Sequence, residues 1–216
     1  MNPSDLPVID DPADTAAPAA SAELKRRALR ATRALIVQSG LDVSMEQIAA
    51  ASGVGRRSLF RHFKSRDALV GEALDSAFLW YEAQLDAPIA IGGPLDEWLH
   101  AVLLRIHQAH LGAGRGLWQL ASAFEDELPP EFKAANKRRR AMRRRITQNL
   151  ADRSWAAAGE AGPAPELLVE AMAMNLSSFT THSMVIDRKR SIESLVRTGV
   201  AVLMAVIQAA RAAEAG

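Results

Sequence analysis

The chain has 216 residues, about half of them apolar and a quarter charged, with no cysteine and a formal net charge of +1. That length and balance suit a globular protein able to bury a sizeable core. The missing cysteines exclude a disulfide framework, thiolate zinc sites and a thiol redox switch. Charge is spread unevenly: residues 1–20 carry −4, residues 21–70 carry +6 and residues 71–216 carry −1. A basic block of this kind is the electrostatic footprint of a phosphate-backbone partner.

Residues 1–20, with Pro3, Pro7, Pro12 and Pro18 among Ala and Asp, lack apolar periodicity and are expected to form a disordered acidic tail. No basic stretch followed by an apolar one opens the chain, so it does not read as a signal peptide. The longest apolar run, residues 200–207, falls far short of the roughly 20 residues of a membrane helix. The expectation is a cytoplasmic protein without a membrane partner.

Ser21 can cap a first helix that carries Leu24, Ala28, Ala31 and Leu35 on one face and ends at Gly40 as a left-handed cap would. Ser44 and Gln47 have the spacing of a capping box at the start of a short second helix, whose buried contacts are Ile48 and Ala49. Two glycines in four residues, Gly53 and Gly55, break that helix. A third runs from Arg56 to about His62, with Leu59 and Phe63 pointing inward and Val54 plugging the corner. Ser65 caps a fourth, which reaches about Leu85 and turns Leu69, Ala73, Leu74 and Ala77 inward. The remaining pattern is helical between Pro and Gly breaks, with helices expected near 95–111, 116–127, 130–157, 165–186 and 191–212. The fold class is therefore all-α, with about nine helices in all. A helix-turn-helix domain spans 21–82, and a ligand-binding and dimerisation domain spans 83–216.

Two short helices joined by a tight turn, the second basic, have helix-turn-helix geometry, which presents the start of the second helix to the major groove. Arg56, Arg57 and Ser58 lie at that start. An arginine can bond guanine O6 and N7 together, worth about 1–3 kcal/mol of discrimination. Arg61 follows one turn later, and His62, Lys64 and Arg66 stand where the helix leaves the groove, a place for backbone contact.

Ser44, Ile48-Ala49, Gly53-Val54, Leu59-Phe60-Arg61-His62-Phe63, Lys64, Asp67 and Leu69 together resemble the N-terminal domain of TetR-family regulators, also called the TetR/AcrR family. The likeness is specific over residues 24–75. It implies that Ser44 bonds a phosphate, that Arg56, Arg57 and Ser58 meet base edges, and that Phe60, Arg61 and His62 meet the backbone or groove wall. Arg66 occupies the place of a phosphate-binding lysine. Phe60 replaces the usual tyrosine and so lacks its hydroxyl, while Gly55 replaces the commoner Ser or Thr cap at a cost of a few tenths of a kcal/mol.

The resemblance also implies a homodimer formed through the last two long helices, acting on a palindromic double-stranded operator and answering to a small-molecule effector, usually as a repressor. Leu168, Met172 and Leu176 on one helix and Val200, Leu203 and Ile207 on the next form apolar stripes suited to such an interface. Trp98, His107, Trp118, Met142, Ile146, Asn175, Phe179 and His182 fall on the middle helices and could line a pocket for an apolar or aromatic effector. His107 and His110 share a face but have no acidic or thiol companion, so no metal or other cofactor is expected. His100, His107, His110 and His182 belong to no catalytic motif, and an enzyme is not expected. The alternatives are an effector-sensing activator or a helical interaction module. The basic run 137–145 wraps around its helix and reads as a solvated flank offset by Glu125, Asp126, Glu127 and Glu131.

Overall fold

The computed structural model describes residues 19–86 and 93–214. The expected tail lies outside these except for its last two residues, and so does most of the expected break at 88–94. Among the described residues ten α-helices follow in order: α1 Ala19–Ser39, α2 Met45–Ser52, α3 Arg56–His62, α4 Arg66–Asp86, α5 Leu95–Gly112, α6 Gly114–Ser122, α7 Pro130–Ala157, α8 Glu166–Asn175, α9 Ser178–Thr181 and α10 Ile192–Glu214. A 3₁₀ turn at Glu125–Glu127 and a π turn at His182–Asp187 complete them. No strand occurs among the described residues, and the fold class is all-α.

Two compact units divide the chain, one within Met1–Tyr81 and Gly112–Arg140, the other within Glu82–Leu111 and Ala141–Gly216. The first is built around Ala28, Thr32 and Ile36 of α1, Leu41 and Val43 of the following loop, Ile48 of α2, Leu59 of α3, and Leu69, Val70, Ala73 and Leu74 of α4, all buried. The innermost line of α1 thus differs from the expected one, because Leu24, Ala31 and Leu35 are only half-buried. Thr32 is tolerated at the centre because its hydroxyl donates to the Ala28 carbonyl at 2.8 Å, which removes the penalty for a buried polar group.

Residues 112–140 join this unit through α6. The Leu41 N–H donates to Gln119 Oε1 at 2.8 Å, closing the loop after α1. Gly114 has φ +68°, and a Cβ there would stand 2.7 Å from the Val37 Cα. Neighbouring Gly116 would press a Cβ to within 2.8 Å of the Ile36 carbonyl oxygen. Glycines let α6 approach the backbone of α1 this closely.

In the second unit Leu99, Val102, Leu103 and Ile106 of α5 are buried with Leu150, Ala151 and Trp155 of α7, Leu168 and Met172 of α8, and Leu195, Val196, Leu203 and Ile207 of α10. The single helix expected over 165–186 is interrupted. Leu176 leaves the α conformation, and Ser177, in extended conformation, accepts the Phe179 N–H on its side chain and starts α9. Local side-chain bonding of this kind competes with helix continuation. On α10, Ile192–Ala213 is apolar and long enough to cross a membrane, a property it shares with core helices of helical proteins, and 28% of that stretch is buried.

The basic run 137–145 is largely committed to the chain itself. In the first unit Arg138 forms a two-point bond with Asp75, at 2.8 and 2.5 Å, and Arg140 pairs with Glu125 at 2.6 Å. In the second, Arg143 donates to the Ala173 carbonyl and Arg145 pairs with Glu82. Glu125 is one of the acids expected to offset the run; Asp75 and Glu82 come from α4.

Candidate nucleic-acid interface

The site begins with a short helix held at both ends by side-chain hydrogen bonds. The Gln47 N–H donates to Ser44 Oγ at 3.1 Å and the Ser44 N–H donates to Gln47 Oε1 at 2.7 Å, the two halves of a capping box. At the other end Gly53 takes φ 64°. Arg27 Nη2 donates to the Ser52 carbonyl at 2.7 Å, setting a cation against the negative end of α2. The Val54 N–H donates to Ser52 Oγ at 3.2 Å, while the Val54 side chain is buried. With Leu59 and Phe63 also buried, α3 is anchored on one side and turns the other outward.

On that helix Arg56, Arg57, Phe60 and Arg61 are exposed and Ser58 and His62 half-buried; outside it Lys64 is exposed, and Ser44 and Arg66 are half-buried. Four cations on seven-residue α3 and the residues just past it make a compact positive surface, and phosphate contact is what such a surface does best. His62 keeps its Nε2 buried without a hydrogen-bond partner.

Arg66 is employed differently from the phosphate anchor expected of it. Its Nε donates to the Val43 carbonyl at 2.8 Å, Nη2 to the Leu41 carbonyl, and Nη1 pairs with Asp67. Its guanidinium also lies 5.6 Å from the centre of the Phe132 ring. With these donors committed to the loop after α1, Arg66 acts as a clasp beneath the interface. The sequence places it one residue after the Ser65 cap but does not show that Leu41 and Val43 return to meet it.

Arg56 also has partners that the sequence reading missed. Its Nη1 lies 2.6 Å from Glu46 Oε1, and its Cζ stands 5.5 Å from the centre of the Phe60 ring. Phe60, which lacks the usual tyrosine hydroxyl, thus carries a cation on its face. The i, i+4 spacing of Arg56 and Phe60 was available in the sequence, whereas the Glu46 contact depends on how α2 crosses α3.

The eight expected pocket residues are divided between the two units. Trp118 belongs to the first unit and is half-buried; Phe179 is exposed. Trp98, His107, Met142 and Ile146 are buried in the second unit, and Asn175 and His182 are half-buried there. His107 Nδ1 and His110 Nδ1 each lie 2.9 Å from Thr181 Oγ1. One hydroxyl carries one proton, so at most one of these imidazoles accepts from Thr181 and the other donates to it. Burial lowers the His107 pKa to about 4, which keeps the ring neutral. Its Nε2 and the Trp98 Nε1 are buried without partners. None of the eight residues lines the open groove of about 510 Å³ formed by Asp96, Glu97, His100, Arg197, Val200, Ala201 and Met204. Among the described residues no cluster of three or more His, Asp or Glu could hold a metal ion.

Of the expected interface residues, Leu168, Met172, Leu176, Leu203 and Ile207 are buried within the chain's own second unit, and Val200 is only partly exposed. The apolar side chains that α8 and α10 turn outward are Leu167, Met174 and Val202. Hydrophobic periodicity finds an apolar face but does not say which neighbour covers it.

Residues 28–73 match the family model described as bacterial regulatory proteins of the tetR family. No curated protein matches the chain. Among solved structures, the transcriptional regulator FadR from Bacillus subtilis in complex with stearoyl-CoA is similar at a TM-score of 0.58 and 13% identity, over 86% of this chain and 96% of that one. A protein from Pseudomonas aeruginosa PAO1 assigned as a transcriptional regulator gives 0.61 and 18%, over 85% and 90%. A protein from Vibrio parahaemolyticus assigned to the TetR family gives 0.55 and 16%, over 82% and 96%. At such identities these likenesses are of fold.

Proposed function

We propose that this chain, a DNA-binding transcription regulator of the TetR family, works in the cytoplasm as a homodimeric repressor that a small molecule releases from a near-palindromic operator. Residues 21–82 are the DNA-binding part in this reading, and residues 83–216 sense the effector and dimerise. The observation that carries the reading is α3: Val54, Leu59 and Phe63 hold it from below while Arg56, Arg57, Phe60 and Arg61 face out. Arg56, Arg57 and Ser58 read base edges. Ser44, Arg61, His62 and Lys64 meet the backbone.

A dimer is supported by α10, an apolar helix of which 28% is buried against its own chain. The outward Leu167, Met174 and Val202 would then meet a second copy. Effector release needs only a modest bias. A ligand that prefers the non-binding geometry 100-fold shifts the balance by about 2.7 kcal/mol. The like-folded Bacillus regulator holds stearoyl-CoA, which is in keeping with an apolar effector here.

Footprinting on genomic fragments tests the reading. One protected inverted repeat near the protein's own gene is expected, whereas uniform weak protection would favour a helical module without DNA specificity.

A further inference from the structure

We propose that Glu46 is a positioning residue for base reading: with Phe60 it holds the Arg56 guanidinium so that its Nε–Nη2 edge faces a guanine. The inference rests on the reading of Arg56 as a base contact and adds what determines that contact's selectivity. Three observations support it. Glu46 Oε1 lies 2.6 Å from Arg56 Nη1, the nitrogen on the Cδ side of the guanidinium. The Phe60 ring covers one face of the same group, 5.5 Å from centroid to Cζ. No described residue bonds Nε or Nη2, the pair of donors that can meet guanine O6 and N7 side by side.

The backbone, more than side-chain chance, sets this arrangement. Glu46 sits in the first turn of α2, where an acid is favoured. The αL turn at Gly53 and the buried Val54 and Leu59 fix that turn against the start of α3. A free arginine side chain loses much rotamer freedom when it settles on a base. Held between a carboxylate and a ring, Arg56 has already lost part of it.

The carboxylate has a second effect of opposite sign. All three side chains are exposed, Glu46 by 59%, on the surface that would meet phosphates, so Glu46 repels DNA of any sequence. It therefore lowers affinity for random DNA while raising the share of binding that depends on a guanine. A surface ion pair without this role would not separate the two.

The test uses duplexes selected by the wild-type protein from a random-core library, compared with unselected duplexes at one salt concentration. Glu46→Gln is expected to lower the selected-to-unselected affinity ratio about threefold to fivefold, the range of an exposed ion pair, while affinity for unselected DNA rises. In an Arg56→Ala background the same change should move the ratio less than about twofold but still raise unselected binding. An unaltered ratio for Glu46→Gln, a parallel fall for both DNAs, or a full effect without Arg56 would overturn the proposal. If Arg56→Ala itself leaves the ratio unchanged, the base-contact reading fails and the proposal fails with it. If Arg56→Ala lowers the ratio and Glu46→Gln does not, only the positioning role is lost.

Discussion

The two units treat their polar groups differently. In the first, helix ends and loops are closed by named side chains: Ser44 and Gln47 at the start of α2, Arg27 at its end, Arg66 and Gln119 on the loop after α1. His62 Nε2 is its one buried orphan among the described residues. In the second, Trp98 Nε1 and His107 Nε2 are buried without partners, α8 breaks at Leu176, and a π turn follows α9. Side chains proposed to read bases must be held to a fraction of an ångström, and the closed helix ends and loops of the first unit supply that rigidity. The second unit, proposed to answer to an effector, has the less completely satisfied structure on which such a response draws.

The sharpest way to break the contrast is at Gly114. Its positive φ and its closeness to the Val37 backbone predict that Gly114→Ala costs about 2–4 kcal/mol of stability, read by thermal denaturation. Gly112, around which nothing lies within 4 Å, serves as the control and should tolerate alanine. A neutral Gly114→Ala would mean that α6 is not seated on α1 as described.

The next effect belongs to the second unit and depends on pH. His107 has a folded pKa of about 4 against an ordinary 6.5, lowered by burial. As pH falls below 6.5 the unfolded chain takes up a proton that the folded chain refuses. The stability linked to His107 is therefore whole above pH 6.5 and is lost progressively down to about pH 4. Urea midpoints should fall by the equivalent of about 2 kcal/mol between pH 7.5 and pH 5, and His107→Gln should flatten that dependence. An equal fall in the variant would assign the effect to other groups.

The third comparison lies within the first unit and sharpens the difference between holding and touching. Arg66→Ala should lower stability by about 1–3 kcal/mol, since charge-assisted bonds to Leu41 and Val43 are lost, with the salt dependence of DNA binding unchanged. Lys64→Ala should leave stability within about 0.5 kcal/mol and reduce the salt slope by about one. Reversed results would return Arg66 to the role of phosphate anchor.

Much of the interface could be read along the chain because its determinants are neighbours. The capping box at Ser44 and Gln47, the left-handed Gly40, the helix break at Gly53, the Ser65 cap, the buried Val54, Leu59 and Phe63 and the exposed start of α3 all follow from spacings of a few residues. Hydrogen bonds and steric limits act over that range, so these features were determined by sequence alone. So was the all-helical class, through the periodicity of apolar residues.

What only the tertiary structure decided involves partners far apart. Thr32 replaces Ala31 and Leu35 on the innermost line of α1 because neighbouring helices select which edge of a broad apolar face is covered. Gln119 closes a loop 78 residues away, Arg66 turns inward to carbonyls 23 and 25 residues back, and Asp75 meets Arg138. Leu168 and Leu203 are buried within the second unit while their apolar sequence neighbours Leu167 and Val202 face out. Each of these contacts depends on the angle and register at which two helices pack, which no local spacing encodes.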